Sequence, residues 1–316
     1  MTLTRLDDAT FDWASGAGGA GTLRAIAYAS LQHDGADPLN EAARLALRHH
    51  GLDGAVVFLG DDHGNPSTVD RGYGGFAYVH GLVGEGRPEV DLAVDPESRR
   101  RGLGTMLLEA VLELTQGIPL TAWSHGDHRG ARVLAGRHGF VPTRELWVLR
   151  RPPGPVPDVP LPAGFTLRPF SVGADEEGLL AVNAATFAHH PEQGGLTRAQ
   201  LDERIAEPWF SAEGLLMAEH GDGTPAGFHW TKLHRSVPGG PLQGEVYVIG
   251  VAPDAQGSGL GRALLVAGID HLQRAGAHEI HLYVEASNTA ALGLYSSLGF
   301  THRDEDTHVL YRGPLP

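Results

Sequence analysis

One stretch of this chain occurs twice. "VDPESRRRGLGTMLL" fills Val94–Leu108 and "VAPDAQGSGLGRALL" fills Val251–Leu265, 157 residues further on. The two align without a gap as Val-x-Pro, an acid, then Arg or Gln, and Gly-Leu-Gly. Each copy is followed by a Gly-Phe, at Gly139-Phe140 and Gly299-Phe300, 160 residues apart, so the register drifts by three residues. A duplication of about 150 residues is too long for a solenoid repeat and suits two sibling domains. The chain has 316 residues, enough for two cores. Between the copies lies "RPPGPVPDVPLP" (Arg151–Pro162), half of it proline. Such a segment cannot continue a helix or a central strand and reads as a semi-rigid linker. The expected division is a first domain at 1–150, a linker at 151–162 and a second domain at 163–316.

Composition limits the chemistry. Hydrophobic residues make up 41% and charged residues 20%, the balance of a soluble globular chain. No apolar run is long enough for a bilayer, and "MTLTRLDDATFDW" has neither a basic nor an apolar leader region. The expectation is a cytoplasmic protein without a membrane partner. There is no cysteine, so thiolate nucleophiles and Cys-ligated metals are excluded. A formal charge of −14 argues against nucleic acid and favours a cationic small molecule. The 18 histidines include "RHH" at 48–50 and "AHHPEQ" at 188–193, neither with a third ligand at metal spacing, so no metal is expected.

Periodicity in the second half gives a consistent order of elements. "GEVYVIGVAP" reads as a buried strand ending at Pro253, and "GLGRALLVAGIDHLQRAG" as a helix from Gly259 that Gly276 can stop. "EIHLYVEA" alternates as a strand, "NTAALGLYSSLGF" is a short helix stopped by Gly299, and "THVLYRG" is a last strand. The Gly/Ala-rich "SGAGGAGT" near the N-terminus reads as a loop without chemistry. A strand that passes through a glycine turn into a helix aims backbone N–H groups and the helix dipole at one point, which suits a phosphate. Glycine there lets the backbone approach the anion. No Gly-Lys-Ser/Thr follows, so this is not a Walker A loop, and the dinucleotide G-x-G-x-x-G is absent too.

Together with Asn288-x-x-Ala291-x-x-Leu294-Tyr295-x-x-x-Gly299-Phe300, the Gln256-x-x-Gly259-x-Gly261 loop resembles the GNAT N-acetyltransferase superfamily. Arg99-x-x-Gly102-x-Gly104 matches the same loop in the first half. The resemblance covers nearly the whole chain. It implies an α/β (α+β) fold of two tandem GNAT domains, each with a mixed, largely antiparallel central sheet flanked by helices. The strands would splay where the pantetheine of acetyl-CoA inserts. It assigns acetyl-CoA contacts to Ile249, Gly250, Val251, Gln256, Gly257, Ser258, Gly259, Leu260, Gly261, Arg262, Asn288 and Ala291. In the first half it assigns them to Leu92, Ala93, Val94, Arg100, Arg101, Gly102, Leu103, Gly104 and Thr105.

Direct transfer from a thioester to an amine needs a base, a polarised carbonyl and a route for protonating the thiolate. Glu245, at the head of the strand entering the loop, is the candidate base; the alternative is a solvated strand-end carboxylate. Tyr295 is the candidate acid by the resemblance, and the N–H of Gly250 or Val251 the oxyanion donor. Counting back from Val94 as from Val251 sets Pro88 opposite Glu245, with Glu89 on the other face, and Ala135 opposite Tyr295. On that count the first half binds acetyl-CoA and catalyses poorly.

"WSHGDHRGARVLAGRHGF", "RELWVLRR", "VNAATFAHHPEQGG", "GFHWTKLH" and "GEVYVIGV" further resemble the mycothiol acetyltransferase family, tandem GNAT enzymes. That likeness implies acetylation of the cysteinyl amine of cysteinyl-glucosaminyl-inositol, by a monomer. It implies substrate contacts at Glu41, Glu192, Trp230, Lys232 and Tyr283. Trp230 reads equally as core, Lys232 as surface and Glu41 as an exposed helix residue. Acetylation of another cationic amine, such as an aminoglycoside or polyamine, and an acyl-CoA sensor without turnover are the rival functions.

Overall fold

The computed structural model describes residues 1–62, 72–83, 87–188, 194–235 and 239–314. The chain divides into two compact units, Met1–Trp147 with Asp304–Pro316, and Val148–Arg303. The first contains β1 (Leu3–Arg5), α1 (Ala20–Asp34), α2 (Glu41–His49), β2 (Val56–Asp61), β3 (Tyr73–His80), β4 (Glu89–Val94), α3 (Leu103–Thr115), β5 (Thr121–Ser124), α4 (Arg129–Arg137) and most of β6 (Val141–Arg151). The second contains β7 (Phe165–Pro169), α5 (Glu176–Thr186), α6 (Arg198–Ile205), β8 (Leu215–His220), β9 (Pro225–His234), β10 (Gln243–Val251), α7 (Leu260–Arg274), β11 (Glu279–Glu285) and α8 (Thr289–Ser297). The last strand, β12 (Thr301–Arg312), begins in the second unit and runs into the first.

In each unit the ladder is antiparallel up to one parallel pair. β2, β3 and β4 pair antiparallel, then β4 meets β5 in parallel at Glu89 and Thr121. β7, β8, β9 and β10 pair antiparallel, then β10 meets β11 in parallel. A parallel neighbour requires a crossover, and the helix after each glycine loop supplies it. Leu103, Leu107 and Leu108 of α3 bury one helical stripe, and Leu260, Leu264 and Leu265 of α7 bury the same one. Gly276, in the left-handed region at φ 90°, follows the last turn of α7, as the sequence predicts.

The compact units do not follow the boundary drawn at the prolines. β12 pairs antiparallel with β5 at Val309–Ser124 through Arg312–Thr121, so residues after 303 complete the first unit. That ladder satisfies an edge of β5 that would otherwise expose its backbone groups. Nor does the proline stretch behave as a spacer. Arg151 is buried and donates to the carbonyls of Leu298 (2.8 Å), Pro152, Gly154 and Pro155 (2.7 Å). The prolines prevent regular structure, as expected, but the segment lies against the second unit. No helix among the described residues is long and apolar enough to cross a membrane.

Candidate active site

The two glycine loops have nearly the same backbone. Gly102 and Gly259 each stand before the helix in the left-handed region, at φ 89° and 91°, and neither N-cap glycine offers its helix a side-chain cap. Exposed residues form both turns, and a Cβ at Gly102 or Gly257 would meet nothing within 4 Å. The space before each helix N-terminus is therefore open, as an anion site requires. Arg100 takes φ 66° where the other copy has Gly257 at φ 76°. Arg99 Nε donates to the Val94 carbonyl at 3.0 Å, and Gln256 Nε2 donates to the Val251 carbonyl at 3.1 Å. The Arg/Gln position of the motif is thus a latch that folds the loop back on its own strand. Arg99 also forks onto Asp34 at 2.8 and 2.5 Å, and Arg101 faces Asp62 at 3.4 Å.

Other candidate contacts lie around the second loop. Ser258 Oγ donates to the Ala255 carbonyl at 2.6 Å and accepts from Leu260 N at 3.3 Å. Arg262 reaches Ser297 Oγ at 2.8 Å, linking α7 to α8. Asn288 and Ala291 prove to be cap partners: the Asn288 side chain accepts from Ala291 N at 3.1 Å and starts α8. Ile249, Gly250 and Val251 close β10 opposite His229, Phe228 and Gly227, and Gly261 packs behind Val251. Leu92, Ala93 and Val94 close β4 in the same way opposite Ala77, Phe76 and Gly75. Leu103, Gly104 and Thr105 form the first turn of α3.

The strands splay as the resemblance implies. β10 and β11 pair only from Gln243–Glu279 to Glu245–His281. Between Val246 and Val248 the β10–β9 register slips by one residue, a bulge at Tyr247. Glu245 therefore stands where the parallel ladder ends, 7% exposed. Its Oε2 lies 3.9 Å from Lys232 Nζ, 3.9 Å from His234 Nδ1 and 3.8 Å from His281 Nε2. Lys232 Nζ in turn sits over the rings of Trp209 (4.7 Å) and Tyr247 (5.2 Å). Arg204 Nε donates to the Tyr247 hydroxyl at 2.9 Å and fixes that wall. His234, Glu245 and His281 could also meet on a metal ion, but the Lys232 ammonium at the same oxygen opposes a second cation.

Trp230 is 1% exposed and packs among Trp209, Phe210 and Tyr247. It presents no open ring face and belongs to the core beneath Lys232. Tyr283, by contrast, is 46% exposed on β11, with its ring against His281. Glu41 is the first residue of α2, in the other compact unit. Glu192 lies outside the described residues. Tyr295 is buried on α8 against Phe300, and burial pushes its phenol up to about 12, so it keeps its proton through neutral pH.

The bulge overturns the residue count that set Pro88 opposite Glu245. Val94 pairs with Gly75 and Val251 with Gly227. Five positions further along the partner strands stand His80, paired with Glu89, and Lys232, paired with Glu245. Thr121 and His281 are their parallel neighbours. The structural counterpart of Glu245 is Glu89, because β10 holds one extra residue. Ala135 still occupies the place of Tyr295, on α4. His234 and His281 were not singled out from the sequence: 47 residues separate them, and only the strand register brings them to one carboxylate.

Comparison with known proteins agrees with this geometry. Residues 185–300 match the acetyltransferase (GNAT) family, and residues 54–142 match an acetyltransferase (GNAT) domain. A tandem GNAT protein from the clavulanic acid biosynthesis pathway superposes with a TM-score of 0.68 at 18% identity, covering all of both chains. A GCN5-related N-acetyltransferase from Sphaerobacter thermophilus gives 0.66 at 24%, covering 99% of this chain and 97% of that one. At such identities these show the fold. A mycothiol acetyltransferase of a Nocardioides species is 46% identical over 301 residues, 91% of this chain and 95% of its own length. One from Thermobispora bispora is 46% identical over 294 residues, 91% and 94%. Two GNAT domains in tandem, with that identity along nearly the full length of both relatives, show that the chain is an acetyltransferase and belongs to the mycothiol acetyltransferase family.

Proposed function

We propose that the chain transfers the acetyl group of acetyl-CoA to the cysteinyl amine of cysteinyl-glucosaminyl-inositol, giving mycothiol. The observation that carries the chemical part is the placement of Glu245. It is a buried carboxylate at the point where β10 and β11 part, on the same strand as the glycine loop. Six residues of strand, about 20 Å, separate it from Val251. That is the span a pantetheine arm has to cover between pyrophosphate and thioester.

Glu245, through a water, takes the proton from the substrate ammonium, and the freed amine attacks the thioester carbon. A backbone N–H of β10 just past the end of its ladder with β11 stabilises the oxyanion. As the C–S bond breaks, the Tyr295 hydroxyl gives its proton to the thiolate, and the second proton that the nitrogen sheds in becoming an amide restores the phenol through solvent. Residues 256–262 hold the pyrophosphate, with Asn288 and Ala291 beside them. Lys232 and Tyr283 line the acceptor side, and Trp230 supports Lys232 from the core. Glu192 completes the acceptor contacts in this reading. The family likeness supports the choice of substrate. The domain at 1–150 holds acetyl-CoA through residues 92–94 and 100–105 and has no turnover, since it lacks a hydroxyl at Ala135. The domain at 163–316 is the catalyst. A cytoplasmic monomer goes with this reading.

The test is a steady-state assay with acetyl-CoA and the cysteinyl-glucosaminyl-inositol amine beside an aminoglycoside and a polyamine. Saturable turnover of the cysteinyl sugar alone is expected. Preferred turnover of either other amine would remove the substrate assignment.

A further inference from the structure

Glu89 keeps the strand-head position of Glu245 in quite different company. Its cross-strand partner is His80, where the second unit has Lys232, and Asp91 lies two residues along β4 on the same face. His80 Nε2 is 3.7 Å from Glu89 Oε1 and 3.3 Å from Asp91 Oδ2. One donor atom from each of the three lies within 4.8 Å of the others. Asp91 is 2% exposed, and neither its Oδ2 nor His80 Nε2, though close, is aligned in a hydrogen bond. The buried His80 Nε2–Asp91 Oδ2 contact, at 3.3 Å but without a hydrogen bond's alignment, leaves both atoms able to take a third group between them.

We propose that His80, Glu89 and Asp91 bind one divalent first-row transition-metal ion of the zinc class, which ties β3 to β4. Metal–ligand bonds of about 2.0–2.2 Å set two ligands of one ion roughly 3–4 Å apart. The 3.3 and 3.7 Å separations already meet that requirement. One imidazole with two carboxylates is a mixed N/O set that suits zinc, manganese or cobalt better than calcium or magnesium. The supporting contacts are in place. The Tyr78 ring stacks on His80 with centroids 5.0 Å apart, and Asn40 Nδ2 donates to Glu89 Oε1 at 3.2 Å. Asn40 also caps α2 through Ala43 N at 2.8 Å, so the ion would fasten helix as well as strands. Arg44, the nearby cation, is forked onto Asp37 at 2.8 and 2.5 Å. Two carboxylates facing one imidazole make an acidic site for the ion. In the second unit the Lys232 ammonium already fills that role, so its histidines and Glu245 are left for other work.

The test uses the full chain, stripped with a chelator and titrated with zinc by calorimetry and with cobalt by visible absorption. The native chain should take up an equivalent of ion that Asp91→Asn and His80→Gln each lose. Zinc should raise the melting temperature of the native chain and of Glu245→Gln, but not of those two variants. Circular dichroism establishes that each variant is folded, and the two substitutions are independent routes to the same result. The proposal fails if the native chain binds neither ion below millimolar concentration, or if both variants keep the native stoichiometry and affinity. It fails equally if Glu245→Gln, and not Asp91→Asn, loses the ion.

Discussion

The two units keep the same anion loop and differ at the strand head. The loop is a backbone device: a few glycines, one latch residue and a helix start recreate it, and little else in the domain can disturb it. Gln256 and Arg99 latch their loops through different side chains and reach equivalent carbonyls. The strand head depends on side chains instead. A bulge, a cross-strand Lys and a tyrosine on α8 stand on one side; a cross-strand His, a second carboxylate and Ala135 stand on the other. Duplication thus preserved the part specified by backbone and released the part specified by side chains.

The cores differ in a reciprocal way. Where α3 crosses β3, Ala77 on the strand meets a helix carrying Val111; where α7 crosses β9, the strand carries His229 and the helix Gly268. A Cβ at Gly268 would lie 2.0 Å from the His229 ring. Gly268→Ala should therefore destabilise the second unit by about 3 kcal/mol, at the upper end of overpacking. Denaturant unfolding measures this, and His229→Ala in the same chain should recover most of the loss. Burial among α7 and β9 also holds His229 down at about 4, while its Nδ1 lies 2.8 Å from the Leu264 carbonyl. A depressed histidine contributes stability that is present above the unfolded value near 6.5 and is lost as pH falls towards 4. The second unit should therefore lose about 3 kcal/mol between those limits, a loss that His229→Ala should lack. Unfolding at stepped pH measures that difference.

Tyr295→Phe should lower the single-turnover rate by about a hundredfold, the low end for a proton donor because a thiolate leaves readily. Acetyl-CoA binding should stay nearly unchanged. With the phenol held up to about 12, its ionisation should cost no activity below about pH 10. Native stability should fall as pH rises from about 10 to 12, because only the unfolded tyrosine ionises there, and the Phe variant should lack that fall. The smallest effect should come from the latches. Gln256→Ala removes one exposed hydrogen bond of about 1 kcal/mol and should weaken acetyl-CoA binding roughly fivefold at the second loop alone.

Much of this was legible in the sequence. The repeated loop, α7, β10, β11 and the glycine stops all follow from period and glycine placement, which are local properties. What escaped was non-local or subtracted one residue. The extra residue at Tyr247 leaves no mark in composition, yet it moves Glu89 from the wrong face to the counterpart of Glu245. His281 comes to Glu245 only through the parallel register that the crossover helix sets. Membership of β12 in the first unit is likewise a long-range pairing without a local signal. Trp230 shows the same limit: its type admits a ring platform or a core wall, and burial alone decides.

The central claim is that one of two like-placed carboxylates does the chemistry. The most direct measurement is the single-turnover rate of acetyl transfer in the full chain carrying Glu245→Gln, compared with the chain carrying Glu89→Gln. Loss of the base should slow Glu245→Gln by 10²–10⁴-fold, roughly 3–5 kcal/mol, with acetyl-CoA binding retained, while Glu89→Gln stays within about twofold of the native rate. Comparable losses in both variants, or an undiminished rate in Glu245→Gln, would contradict the account.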